Sequence, residues 1–247
     1  ATFPIIVYGK PVISVTTEGV LGEWTTEDIT FTLDSTHQLD SATYFWREEN
    51  STTWNPITGN TYTINYNVNT TFYIKAQNSM GYESDESEAL VVKLDKTTPT
   101  FTLSQSLTDV TNEDYTVNIE NLVYSVSGLK TVEVNGVDFG SDALSFIVQR
   151  NGEYVVKITA NNGLYSEQTL EINNIDKEVP GITDIVLTQE PTESPERHLD
   201  GEFGHYYSAD LVANATAEDS GVAGIDYIKY RLVGADYTPV SDWTTIT

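Results

Sequence analysis

Two six-residue phrases punctuate the chain: Leu94-Asp95-Lys96-Thr97-Thr98-Pro99 and Ile175-Asp176-Lys177-Glu178-Val179-Pro180. Each closes one run of apolar residues and opens another, and their aspartates stand 81 residues apart. Repetition at such a period predicts modules in series, each burying its own small core. The phrase itself reads as a joint. Asp95 and Asp176 can accept backbone N–H groups as the chain turns, while Pro99 and Pro180 fix φ near −65° and deny a neighbouring edge one ladder hydrogen bond. Lys96 and Lys177 sit inside each joint, which is short and free of the Gly/Ser tracts that make linkers flexible.

The 247 residues therefore divide as 1–95, 96–176 and 177–247. In the first module Ile29-Thr30-Phe31-Thr32-Leu33 alternates strictly, as a half-buried strand does, and Phe72, Ile74 and Ala76 alternate again. Two local identities fix the register of the second module on the first. Thr25-Thr26-Glu27-Asp28 lies over Thr111-Asn112-Glu113-Asp114, and Ile74-Lys75-Ala76-Gln77-Asn78 lies over Ile158-Thr159-Ala160-Asn161-Asn162. In the third module Leu211, Ala213 and Ala215 alternate, Ser220-Gly221-Val222 echoes Ser127-Gly128-Leu129, and Trp243 echoes Trp54. By that register its final two or three strands are absent, which predicts an uncovered inner face. No stretch carries a helical period. About seven short strands per module, with Gly, Asn and Asp at the turns, predict an all-β chain of tandem immunoglobulin-like sandwiches, the last incomplete.

Charge and composition exclude several function classes. The chain has 12 basic and 37 acidic residues, a formal net charge of −25, which opposes binding to nucleic acid and to anionic membranes. No run approaches the ~20 apolar residues of a membrane span. There is no cysteine, so disulfide frameworks, thiolate metal sites and cysteine nucleophiles are absent. Met80 is the only methionine, so the sequence is expected to be an excerpt or a processed product, with any signal peptide or anchor outside it.

The joint Ile175-Asp176-Lys177-x-x-Pro180, the segment Glu27-Asp28-Ile29-Thr30-Phe31, the turn Ser220-Gly221-Val222 and the strand Tyr154 to Asn162 ending in Asn162-Gly163 together resemble bacterial immunoglobulin-like repeats. Such repeats occur in tandem in large surface and adhesin-like proteins, and as accessory modules of secreted enzymes. The resemblance covers nearly the whole chain and implies an extracellular setting, at the bacterial surface or secreted, with neighbouring modules of the same kind as partners. It implies no catalytic residues. The third module departs from the pattern through a long segment, Glu190 to Tyr206.

Three constellations are candidates for binding. His198, Asp200, Glu202 and His205 could ligate a transition metal if their loop folds back, against the simpler reading of a solvated loop. Asp95 with Glu27 and Asp28, and Asp176 with Glu113 and Asp114, could gather oxygens for Ca²⁺ at the joints, where Lys96 and Lys177 compete as salt-bridge partners. Trp54, Tyr62 and Tyr66 could stack on a sugar, although recurrence of Trp54 as Trp243 favours packing. Of the three histidines, His37, His198 and His205, none stands near a serine in a nucleophile elbow, so the chain is expected not to be an enzyme. The leading expectation is a non-catalytic stalk in an adhesin-like surface protein, needing no cofactor. The alternatives are a module binding a host glycan or protein, and an accessory module of a secreted glycoside hydrolase.

Overall fold

The computed structural model describes residues 9–36, 42–104, 108–189, 198–200, 204–206, 211–234 and 236–246. Among them every regular element is a strand. The chain divides into two compact units, one of residues 1–105, 116–146 and 153–171, the other of residues 106–115, 147–152 and 172–247. The joint at Asp95 lies within the first unit and the joint at Asp176 within the second.

The first unit opens with a complete sandwich. One sheet takes β1 (Val12–Glu18), β3 (Ile29–Thr36) and β6 (Thr61–Ile64) in the order β1-β3-β6. The other takes β2 (Trp24–Thr25), β4 (Thr43–Glu48), β5 (Asn55–Ile57), β7 (Val68–Gln77) and β8 (Leu90–Leu94) in the order β2-β8-β7-β4-β5. Alternation decides which side chains enter the core. Along β3, Ile29, Phe31 and Leu33 are buried while Thr32 and Asp34 face solvent. Opposite them lie Phe72, Ile74 and Ala76 of β7 and Leu90, Val92 and Leu94 of β8. Each large aliphatic or aromatic group so buried contributes about 1.5–3 kcal/mol. Strand β2 runs parallel to β8, with Thr25 opposite Leu94, and so brings the start of the sandwich beside its end.

The strands that follow repeat the plan. They are β9 (Thr100–Leu103), β10 (Tyr115–Val123), β11 (Leu129–Val134), β12 (Val137–Asp138), β13 (Ser145–Val148), β14 (Gly152–Ala160) and β15 (Tyr165–Ile172). Their sheets run β13-β10-β9 and β12-β11-β14-β15, and Phe101, Val117, Ile119, Val132, Val156, Ile158 and Ala160 are buried. Two sheets with this split of consecutive strands, built twice, make the chain a tandem of immunoglobulin-like β-sandwiches.

In the second unit, Thr111 bridges Ile175 in parallel, as Thr25 does Leu94 in the first unit. Beyond Pro180 the described residues form three two-stranded ladders. They are β16 (Gly181–Gln189) with β19 (Leu211–Glu218), β17 (His198–Asp200) with β18 (Gly204–Tyr206), and β20 (Ile228–Tyr230) with β21 (Thr244–Ile246). Ile182, Ile185 and Val240 are exposed here.

Candidate functional site

The joint at Asp95 gathers a connected set of polar contacts from both sandwiches that flank it. Asp95 follows the last residue of β8, and its backbone N–H donates to the carbonyl of Thr25 at 3.0 Å, extending the parallel pairing by one step. Its carboxylate is fully buried, with both oxygens engaged. Oδ1 accepts the N–H of Thr97 at 2.9 Å, and Oδ2 accepts the N–H of Ser127, in the turn ahead of β11, at 2.9 Å. Burial pushes the Asp95 carboxyl up, but the hydrogen bonds from Ser127 and Thr97 outweigh it and hold the group below its ordinary value of 3.8. The carboxylate is held here by two amide donors, one from the joint itself and one from the second sandwich.

Two asparagines close the network. Asn67, immediately before β7, accepts the N–H of Lys96 on Oδ1 at 2.8 Å and donates Nδ2 to Thr97 Oγ1 at 2.6 Å and Ser125 Oγ at 3.1 Å. Asn162, just past β14, donates Nδ2 to the carbonyls of Asp95 and Thr97, both at 2.9 Å, and accepts the N–H of Leu164 on Oδ1 at 2.9 Å. Asn67 belongs to the first sandwich, Asn162 to the second. Both bind the same short stretch of chain, so the peptide between the sandwiches has few free polar groups with which to move. Pro99 is buried directly after it.

The same parts recur. Asn78 stands where Asn162 does in the repeat, and its Nδ2 donates to the carbonyl of Gly9 at 3.3 Å, two residues ahead of Pro11 as Thr97 is ahead of Pro99. In the second unit Asn151, standing where Asn67 does, donates to the carbonyl of Ile175 and accepts its N–H, both at 2.8 Å. Asp176 donates its N–H to Thr111 at 2.7 Å, and its carboxylate accepts the N–H of Glu178 at 3.0 Å and of Ala223 at 2.6 Å.

That last bond corrects the expected register. Ser127 corresponds to Ala223, not to Ser220, and Gly128 corresponds to Gly224; the two glycines have φ of 69° and 71°. Gly221 has a different reason to be glycine. A Cβ there would lie 1.9 Å from a carboxylate oxygen of Asp176.

The two joint lysines each pair with one acid at the start of a strand region, Lys96 with Asp28 and Lys177 with Asp114. Lys177 and Gln149 together hold the exposed Asp114 carboxyl below its ordinary value. Thr25 and Thr111, which open those segments, accept the N–H of Glu27 and Glu113 on their hydroxyls at 3.0 and 3.1 Å. Asp95 thus meets amides, while Asp28 meets a lysine. Among the described residues, no group of three or more His, Cys, Asp or Glu is placed to hold a metal ion.

The other candidate residues are dispersed. Tyr62 stacks on Trp46 at 5.0 Å between ring centroids and meets Phe72 edge-on at 6.2 Å. Burial, and then a hydrogen bond with Tyr66, push the Tyr62 hydroxyl well above its ordinary value. Trp54 stands elsewhere, under two cations: Lys75 Nζ lies 4.5 Å from its ring centroid and the Arg47 guanidinium 5.3 Å, and these cations in turn pair with Glu83 and Glu86. Trp243, its counterpart, lies under Arg231 at 4.8 Å. The recurring tryptophan is therefore a cation–π partner on the sheet surface. In the β17–β18 ladder His198 is set opposite Tyr206 and His205 opposite Leu199, with Asp200 opposite Gly204. Glu202 and residues 190–197 lie outside the described residues.

Sequence reasoning named Asp95 and Asp176 but missed Asn67 and Asn151. The signal was available: each stands seven residues before the matched isoleucine, Ile74 or Ile158.

Known proteins add little to this picture. No family model and no curated protein matches the sequence. Among solved structures, the chain is similar to immunoglobulin domains. The N-terminal eight immunoglobulin domains of Down Syndrome Cell Adhesion Molecule (DSCAM) isoform 1.30.30 share 15% identity with it at a TM-score of 0.42. The match takes in 100% of this chain and 33% of that one, so the chain spans about a third of its length. The fold assignment rests on the strand order described above.

Proposed function

We propose that the chain is a non-catalytic spacer segment of an extracellular, adhesin-like bacterial surface protein, made of modules at 1–95, 96–176 and 177–247. Its work is mechanical: each sandwich is a small closed core, and each joint holds the next sandwich at a set orientation. The observation that carries this reading is a buried, doubly hydrogen-bonded Asp95 followed by Lys96 and Thr97 that Asn67 binds from one side, with Asn162 holding the Asp95 and Thr97 carbonyls from the other, where a freely tumbling linker needs only solvated chain. The net charge of −25 supports it further, since like charge keeps successive modules from collapsing on one another. No helix among the described residues is long and apolar enough to cross a membrane.

Small-angle X-ray scattering tests the proposal. A compact protein of this length has a radius of gyration of about 18 Å. A spacer gives a clearly larger value that stays constant when a calcium chelator is added, because the joint carboxylate is already satisfied by N–H donors. A value near the compact limit would refute the spacer role.

A further inference from the structure

The sequence contains three Asn-Gly pairs, Asn135-Gly136, Asn151-Gly152 and Asn162-Gly163. This dipeptide is the one most open to deamidation, because glycine puts no side chain in the way of its own backbone nitrogen. In each pair the asparagine carboxamide is fastened by hydrogen bonds, but to different parts of the chain. Asn135 accepts the N–H of Val155 at 2.8 Å and donates to the carbonyl of Glu153 at 3.2 Å, both on β14 of its own sandwich. Asn162 instead spends both protons of Nδ2 on the joint, at the carbonyls of Asp95 and Thr97. Gly163, at φ 86°, donates its N–H to the carbonyl of Ala160 at 3.0 Å. Both reacting groups are thus occupied while the joint is closed.

We propose that Asn162-Gly163 is a latent modification site which the closed joint protects and an opened joint releases. The inference rests on the joint being the working part of the chain. In the opened form hydroxide removes the Gly163 N–H proton, and the nitrogen attacks Cγ of Asn162. The new C–N bond closes a succinimide as the Cγ–Nδ2 bond breaks, and ammonia leaves with a proton from water. Water then opens the ring at either carbonyl, giving aspartate or isoaspartate, with no change of oxidation state. The product cannot rebuild the clamp. A carboxylate has no proton to give the carbonyls of Asp95 and Thr97, so acceptor faces acceptor and the joint stays open. Opening by heat or load would leave a permanent covalent record at this residue.

The test is peptide mass mapping of the whole chain held at mildly alkaline pH, comparing the native protein with Asp95→Ala and Asn67→Ala, both of which loosen the joint without touching Asn162. Asn162 is expected to convert about tenfold or more faster in the variants than in the native protein, while Asn135 keeps its rate in all three. Equal Asn162 rates in native and variant protein overturn the proposal. So does a parallel rise at Asn135, which would place protection in the general fold. Should Asp95→Ala fail to fold, Asn67→Ala alone decides, and an Asn162→Asp chain whose thermal stability and scattering equal the native protein's would also overturn the claim. Because the mass map reads chemistry at one residue and not dimensions, it can fail while the spacer reading stands, or succeed while that reading fails.

Discussion

Asp95 shows how much a single buried carboxylate can organise when its partners are amides. Two N–H groups, one of them the buried Ser127 N–H, are left without acceptors if the side chain is removed, and a buried donor so stranded costs about 1–3 kcal/mol. Asp95→Ala should therefore lower the unfolding free energy by that amount, measurable in urea, with Lys96→Ala close to neutral because its partner Asp28 is half exposed. The pH dependence follows from the direction of the shift. The folded carboxyl lies below the ordinary 3.8, so the stabilisation is present in full above that value and is lost as pH falls through the lower folded value. Acid titration of the native protein should show this loss below about pH 4, and Asp95→Asn should flatten it. At Gly221 the constraint is steric. Gly221→Ala would drive a methyl group into the Asp176 carboxylate, and the expected outcome is a drop in thermal stability larger than that of Gly181→Ala, where no atom lies within 4 Å.

At the scale of strands, alternation is the organising rule, and it was largely legible. Ile29, Phe31 and Leu33 point inward, Thr30 and Thr32 outward, as the sequence pattern requires. Phe31→Ala should cost about 3–5 kcal/mol, whereas Thr32→Ala on the same strand should stay within about 0.5 kcal/mol; chemical denaturation of the two variants separates a core face from a solvent face. The short strand β2 was not legible, and the asparagines at 67 and 151 were legible as matched positions but not in their role. Two residues carry no periodicity, and an asparagine ahead of a strand looks like any turn residue until its carboxamide is seen to bind another segment. The Ser-Gly match in the third module misled for a related reason. Composition aligned Ser220-Gly221 with Ser127-Gly128, but what the joint needs is an N–H donor followed by a glycine of positive φ, and Ala223-Gly224 meets that need. Of the rings considered for sugar stacking, Tyr62 packs on Trp46 and shares a hydrogen bond with the exposed Tyr66, and Trp54 lies under Lys75 and Arg47, in keeping with the packing alternative.

For the molecule as a whole, the recurring joint is the feature on which the proposed spacer role rests. Its shared parts are an aspartate, a lysine and a proline in sequence, with an asparagine from the preceding sandwich and a backbone N–H donor to the aspartate from beyond the joint. The absence of cysteine makes a direct test clean, since two introduced thiols are the only labelling sites. Spin labels at Thr61→Cys and Val137→Cys, both exposed and on the first and second sandwich, report the distance across the joint at Asp95. The account predicts a single narrow distance distribution in the native chain that broadens when Asp95→Ala is added. A broad distribution in the native chain, or a narrow one that Asp95→Ala leaves unchanged, would contradict it.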